Sequence, residues 1–240
     1  MEGPSIYTLA HALQPFVNQK IIRAFGNAHF EKEALAGQVI TEIYPLGKRL
    51  IIQTNNYALV VHFLMYGTYR IDEERRSITP RLALITAKHK LFMYNCWVKA
   101  FIESNLKKKL SFDYDILSPR WSIAAVIARM KKHTNETIDD VLLDQDIFAG
   151  VGNIIKNETL YLSRVLPTKK VKTLSLPKLL EIACNARIYS QQFLEQYDNF
   201  ELRNYWTVYH KTVCPKGHPI TRRLTGTRNR WSFFCKTCQK

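Results

Sequence analysis

The sequence predicts an α+β fold, with an N-terminal β-sandwich behind a leading helix, a helical C-terminal domain and a metal-closed hairpin at the end. Three observations predict it. Short runs rich in Ile, Val, Tyr, Phe and Thr recur before residue 115. After that point apolar residues return at helical spacing. Near the C-terminus Cys214, His218, Cys235 and Cys238 stand in two close-spaced pairs. The expected domains are 1–115 for the sandwich, 116–200 for the helices and 201–240 for the hairpin.

The leading helix rests on Ile6, Leu9, Ala10 and Leu13, which fall on one helical face. Ser5 is the expected N-cap, and Pro15 limits the other end. Seven strands follow at Ile21–Phe25, Val39–Tyr44, Leu50–Gln53, Leu59–Leu64, Thr68–Ile71, Leu82–Ala87 and Leu91–Tyr94. Asn55-Asn56 separates two of them and signals a hairpin turn. Short strands at this spacing suit a sandwich.

In the second half, Trp121, Ala124, Ala125, Ile127 and Ala128 mark an amphipathic helix ending in Lys131-Lys132. Leu142, Leu143 and Ile147 mark another. Ile154, Ile155, Leu160 and Leu162 mark a third, and Leu174–Phe193 holds a long fourth. The basic runs Lys107–Lys109 and Lys131–His133 read as solvated faces, the first equally as a linker.

The four terminal ligands read C-x3-H-x16-C-x2-C. Thiolates with one imidazole, spaced as two pairs, fit a tetrahedral structural zinc site. The intervening segment alternates basic residues with Trp231, Phe233 and Phe234, as a two-stranded hairpin would. From Leu202 to Lys240 there are nine Lys or Arg and no Asp or Glu, which favours a polyanionic partner. Cys96 and Cys184 lie far apart in apolar surroundings and read as buried free thiols.

The whole chain of 240 residues carries a net charge of +15. Fold stability gains nothing from that excess, so it points to nucleic acid or an anionic surface. No apolar run is long enough to span a bilayer, and the N-terminus lacks the order of a signal peptide. A cytoplasmic protein is expected, nucleoid-associated in a bacterium, without a membrane partner.

Ala149-Gly150-Val151-Gly152-Asn153 joins two helical patterns. Glycines there let an anion approach main-chain amides, and Asn153 opens the next helix, whose N-terminus favours negative charge. A tight helix–helix connection without a ligand is the competing reading of the same turn.

The stretch LLDQDIFAGVGNIIKNETLY, residues 142–161, resembles the helix–two-turns–helix of the formamidopyrimidine-DNA glycosylase and endonuclease VIII family. The cysteine hairpin resembles that family's zinc finger, with His218 replacing a Cys one residue further along. Met1-Glu2-Gly3-Pro4, Gly47-Lys48-Arg49-Leu50 and VVHFLMYGTYRI, residues 60–71, resemble its N-terminus, lysine strand and probe loop. After Tyr94 the chain runs Asn95-Cys96-Trp97-Val98-Lys99, without the Asp-Pro-Arg-Arg-Phe-type insertion, so it is more similar to the endonuclease VIII branch.

The resemblance implies a sandwich and a helical domain with DNA held in a cleft. It implies a monomeric base-excision-repair glycosylase and abasic-site lyase, acting on oxidised bases, pyrimidines foremost, in double- or single-stranded damaged DNA. Glu2 takes the place of the catalytic carboxylate and Lys48 that of a cation for phosphate or leaving group. Leu64, Met65 and Tyr66 become wedge residues that fill the gap of a flipped nucleotide. Asn153, Lys156 and Arg230 become phosphate contacts, and Cys214, His218, Cys235 and Cys238 the ligands of a structural Zn2+. Ser5 stands where many members have Glu. The family nucleophile is an N-terminal proline amine, whereas here Met1 precedes Glu2 and its α-amine takes that place. An α-amine ordinarily titrates near pH ~8, so a usable fraction is neutral and able to form an imine. The alternative is a lesion or abasic-site DNA-binding protein whose chemistry is weak or lost.

Overall fold

The computed structural model describes residues 1–102, 111–198 and 202–240. Its contacts divide the chain into two compact units, Met1 with Ser5–Leu110, and Glu2–Pro4 with Ser111–Lys240. The basic run Lys107–Lys109 lies outside the described residues.

Helix α1 (Gly3–Ala12) buries Ile6, Leu9 and Ala10, the expected stripe. It begins two residues before the expected cap, and Ser5 lies buried inside it. No Ser cap is needed, because the Gly3 amide donates to the Gly150 carbonyl at 2.8 Å and Pro4 has no N–H to satisfy.

The first unit holds one six-stranded antiparallel sheet in the order β1-β5-β6-β4-β3-β2. The strands are β1 (Arg23–Phe25), β2 (Ile40–Leu46), β3 (Arg49–Thr54), β4 (Tyr57–Ile71), β5 (Leu82–Ile85) and β6 (Lys90–Ile102). Asn55-Asn56 does form the turn between β3 and β4, braced by the Thr54 hydroxyl on the Tyr57 amide. The two strands expected at Leu59–Leu64 and Thr68–Ile71 are a single long strand, β4. Its pairing with β6 breaks between Phe63 and Thr68. Tyr57–Phe63 pairs with Cys96–Ile102 and Thr68–Ile71 with Leu91–Tyr94, so both long strands serve two leaves. Ile43, Leu50, Ile52, Leu59 and Val61 of one leaf share a buried core with Leu82, Leu84, Leu91 and Met93 of the other. These residues alternate along each strand, as a sandwich interior requires. Each such side chain contributes about 2 kcal/mol by leaving water. Cys96 sits in this core, and burial pushes its thiol up to about 12.

The second unit contains helices α2 (Ile123–Met130), α3 (Ile138–Leu143), α4 (Asn153–Leu162) and α5 (Leu176–Asp198), and the hairpin β7 (Thr221–Thr225) and β8 (Arg230–Phe234). Ser122 caps α2, its side chain accepting the Ala125 amide. Ile147, expected on a helix, lies past the end of α3 and is buried in the turn before α4. Val126, Leu142, Phe148, Ile155, Ile182 and Phe193 belong to one core that all four helices build. Cys184 is exposed on α5, contrary to expectation, because the buried stripe of that helix runs through Ile182, Ala183 and Ala186. No described helix is long and apolar enough to cross a membrane.

Candidate functional site

The N-terminus of α4 is occupied by a carboxylate from the protein itself. Glu2 accepts hydrogen bonds from the amides of Gly152 at 3.1 Å, Ile154 at 2.8 Å and Ile155 at 3.3 Å. The first amides of a helix lack internal partners and carry the positive end of its dipole, so an anion is stabilised there. Of the two glycines in the turn, Gly150 adopts a positive φ of 103° and Gly152 is required by close approach. A Cβ on Gly152 would overlap the Glu2 carboxylate. A Cβ on Gly3 would meet the Gly150 Cα at 2.8 Å. The sequence pattern suggested an external phosphate at these amides. In the structure Glu2 takes them.

One face of α4 is polar yet buried. Asn153, Lys156 and Asn157 fall at i, i+3 and i+4, and all three turn to the Trp231 carbonyl of β8, at 3.0, 3.3 and 3.3 Å. Asn157 also accepts the Phe233 amide at 2.7 Å. Lys156 donates to the Ser232 hydroxyl at 2.8 Å. Glu158 accepts the amides of Thr207, Val208 and Tyr209, which lead into the hairpin. At the hairpin tip the Thr227 and Arg228 amides bond Asp140 of α3. Burial would raise the Asp140 carboxyl, but these donors hold it below the usual carboxylate range. Helix and hairpin are thus joined by side-chain bonds to backbone, which fixes β8 in register along α4.

The expected phosphate contact at Lys156 is not available, because the residue is 0% exposed. Burial pushes its ammonium down to about 8; Asp139 opposes that fall and Arg230 adds to it. Asn153 is 8% exposed and its side-chain N–H is used on Trp231. Arg230 is exposed at the start of β8, one residue from that carbonyl. Arg222 of β7 stacks over the Trp231 ring at 4.0 Å.

At the other end of the hairpin Cys214, His218, Cys235 and Cys238 converge, with their ligand atoms within 4.8 Å of one another. Cys214 Sγ lies 4.0 Å from Cys238 Sγ and 3.7 Å from His218 Nδ1, which is 3.3 Å from Cys238 Sγ. Tetrahedral bonds of ~2.3 Å to sulfur put ligand atoms ~3.8 Å apart, so these edges suit a four-coordinate metal. Tyr161 of α4 packs against the cluster of Val208, Cys214 and Cys235, extending the helix–hairpin seam to the four-residue site. The longer Cys-to-His spacing is no obstacle: the Cys214 amide bonds the His218 carbonyl at 2.9 Å and closes the turn.

In the first unit Met1 is half-buried and packs against the sandwich core. It lines a recess of about 320 Å3 together with Thr68, Tyr69, Arg70 and Ile71 of β4. His62, which sequence reading missed, bonds the Lys48 carbonyl through Nδ1 at 3.1 Å. Its pKa is held below the ordinary histidine value by burial first, and then by the charges of Lys48, Arg49 and the N-terminus. The N-terminus, Lys48 and Arg49 thus lie near enough to His62 to disfavour a further positive charge on its ring. Position 62 carried no separate signal, because in an alternating strand a His reads as one more half-buried residue.

The residues expected to act as wedges project from the break in β4. Leu64, Met65 and Tyr66 are 45%, 66% and 87% exposed. Tyr66 and Asn95 opposite both adopt the left-handed conformation, at φ 64° and 48°. Asn95 donates to the Met65 carbonyl at 2.6 Å. A Cβ on Gly67 would meet the Asn95 carbonyl at 2.7 Å, so the two strands close tightly beneath the tip. The three apolar side chains are held out in water by a braced backbone.

Comparison with known proteins follows the same division. Residues 2–96 match the family model of the formamidopyrimidine-DNA glycosylase N-terminal domain, and residues 114–191 that of the formamidopyrimidine-DNA glycosylase H2TH domain. Endonuclease 8-like 3 of Mus musculus is 32% identical over 212 residues, covering 85% of this chain and 35% of its own. This chain thus spans about a third of the length of that relative. Endonuclease 8-like L720 of Acanthamoeba polyphaga mimivirus is 24% identical and is matched over 100% of this chain and 99% of its own. The Lactococcus lactis formamidopyrimidine-DNA glycosylase, solved non-covalently bound to abasic-site DNA, superposes with a TM-score of 0.88 over 100% of both chains. At 23% sequence identity that likeness is one of fold.

Proposed function

The chain belongs to the formamidopyrimidine-DNA glycosylase and endonuclease VIII family, and on that premise we propose that it excises oxidised bases, pyrimidines foremost, from DNA and cuts the strand at the resulting abasic site. The observation that carries this reading is the seat of Glu2. Three amides hold its carboxylate next in sequence to the α-amine of Met1. A carboxylate held beside the terminal amine can pass protons at the sugar that the amine attacks.

In the proposed reaction the neutral Met1 nitrogen attacks C1′ of the damaged nucleotide. The C1′–base bond breaks, and its electron pair leaves with the base, which takes a proton. The sugar ring opens as nitrogen and C1′ form a protonated imine, and the ring oxygen takes a proton, a transfer assigned to Glu2. The imine acidifies C2′. Loss of a C2′ proton drives out the 3′ phosphate with the C3′–O electron pair, and water then releases the sugar from the amine. Lys48 faces the phosphates or the leaving group as a cation. Packing of the Met1 side chain against the sandwich core supports a competent amine, since a thioether seated there does not crowd C1′.

Leu64, Met65 and Tyr66 fill the space vacated by the flipped nucleotide. Arg230 grips a backbone phosphate, and Asn153 acts through it by fixing the neighbouring Trp231 carbonyl. The metal is a structural zinc: four protein ligands leave no open position for chemistry. The protein works as a monomer on damaged DNA in the cytoplasm.

Borohydride trapping on an abasic-site duplex tests the reading. A covalent adduct should form and map to Met1, and a short N-terminal extension should abolish it. An adduct mapping to Lys48 refutes the nucleophile. No adduct, together with tight binding of abasic DNA, turns the assignment to a lesion-binding protein.

A further inference from the structure

The end of α4 remote from Glu2 carries a second cationic feature. A groove of about 780 Å3 opens there, and its lining includes Arg164, Lys169, Lys178, Lys216 and Lys240 but no Asp or Glu. α4 has ten residues, so this groove lies about 15 Å along the helix from the Glu2 carboxylate. Lys178 is committed, pairing with Glu181 at 2.6 Å and donating to the Ser163 carbonyl at 3.1 Å. The other four cations form no ion pair among the described residues.

The backbone at Arg164 is strained. α4 ends in a Schellman turn, with the Val165 amide on the Leu160 carbonyl at 3.0 Å and the Arg164 amide on Tyr161 at 3.0 Å. Arg164 is the left-handed residue of that turn, at φ 55°. This is the position at which glycine is strongly preferred, because a Cβ strains the left-handed conformation. The Lys240 amide bonds the Arg164 carbonyl at 3.1 Å, and the Leu166 amide bonds that of Lys240 at 3.2 Å, so the strained residue and Lys240 are held together. Arginine at this position sets a guanidinium on the groove, where the favoured glycine would carry no charge.

We propose that this groove is a second nucleic-acid site, which takes the phosphodiester backbone of a strand away from the lesion. Its chemistry is that of phosphate contact alone. No Phe, Tyr or Trp lines it, and its one ring, His218, is turned to the cysteine cluster, so bases have no platform to stack on. Recognition there is independent of sequence and steeply dependent on salt. The site does not rest on the glycosylase reading, since it uses none of the residues of the proposed chemistry.

The test compares the full chain with its Arg164→Gly, Lys169→Gln, Lys240→Gln triple variant. Binding to an undamaged duplex of about 40 base pairs is followed by fluorescence anisotropy across a series of NaCl concentrations. The variant should bind at least tenfold more weakly at low salt, with a log–log salt slope shallower by roughly two to three. In a second arm the protein is first saturated with a duplex of about 12 base pairs and then offered a labelled single strand. Capture of that strand by the wild type but not by the variant assigns the groove to a separate strand. A defect confined to the long duplex assigns it to a distant part of the same duplex. Equal slopes and affinities for both proteins on both probes overturn the proposal. Arg164→Gly alone controls for folding: its melting temperature should rise by a few degrees while affinity falls. A lowered melting temperature there would count against the proposal. Borohydride trapping on the short abasic duplex should be the same in wild type and triple variant, and its failure in both would leave the salt comparison unaffected.

Discussion

Glu2 and Gly152 fit together only because Gly152 lacks a side chain: a Cβ there would overlap the carboxylate that its own amide holds at 3.1 Å. Gly152→Ala should therefore expel Glu2 from the α4 terminus. Stability should fall by about 1–3 kcal/mol from overpacking. Borohydride trapping should fall by at least a hundredfold, while nonspecific DNA affinity holds within a few-fold. A variant that melts and traps like the wild type would show that the Glu2 seat is not needed.

Lys156 makes stability depend on alkaline pH. Its folded pKa, near 8, lies below the ordinary lysine value of ~10.4, so between those values the unfolded chain binds more protons. Stability contributed by this group therefore rises with pH from about 8 to about 10. Below pH ~8 both states carry the charge and the cost of a buried ammonium is fully present. Lys156→Met removes the titration. The wild-type melting temperature should gain on that of the variant as pH climbs through this window, and parallel curves would contradict the shifted lysine.

The four-ligand cluster should bind one zinc per chain. Structural zinc contributes on the order of 10 kcal/mol of binding free energy, so chelation should unfold the hairpin. His218→Cys should keep the metal and His218→Ala lose it, as read by metal analysis. DNA affinity should follow metal content, because Arg230 sits on the strand that the metal closes. Full DNA binding in metal-free protein would refute the link.

Met65→Ala and Tyr66→Ala should separate function from folding. Both side chains are mostly in water, so each loss should cost about 0.5 kcal/mol of stability or less. Stacking of an aromatic ring on a base contributes ~1–3 kcal/mol, so Tyr66→Ala should slow excision from duplex DNA by about five- to a hundredfold, and Met65→Ala, which removes no ring, by less. Excision from a single strand, where no partner base needs bracing, should change less. Equal losses on both substrates would remove the wedge role.

Arg230→Ala should weaken binding to abasic DNA irrespective of sequence and make the salt slope shallower by roughly one. An unchanged slope in a folded variant would place the phosphate contact elsewhere on the hairpin.

Much of the fold was legible in the chain because it is written in local periodicity. Apolar alternation located the strands, helical spacing located α2, α4 and α5, and the spacing of the four ligands foretold the metal cluster. What failed was wherever a partner distant in sequence outweighed the local signal. β4 reads as two strands because Met65, Tyr66 and Gly67 interrupt its alternation, and only pairing with β6 on both sides of the break joins them. Lys156 reads as a surface cation because lysine nearly always is one. Its burial comes from a hydroxyl and a carbonyl on a strand some 75 residues away. The Gly150–Gly152 turn reads as a cradle for an external anion, since sequence shows the unpartnered amides but not the carboxylate that takes them. The sequence by itself determined most of the elements, the charge and the four residues that cluster at the hairpin. The tertiary structure decided which buried polar group meets which, because a hydrogen bond between distant residues leaves no trace in the spacing of either.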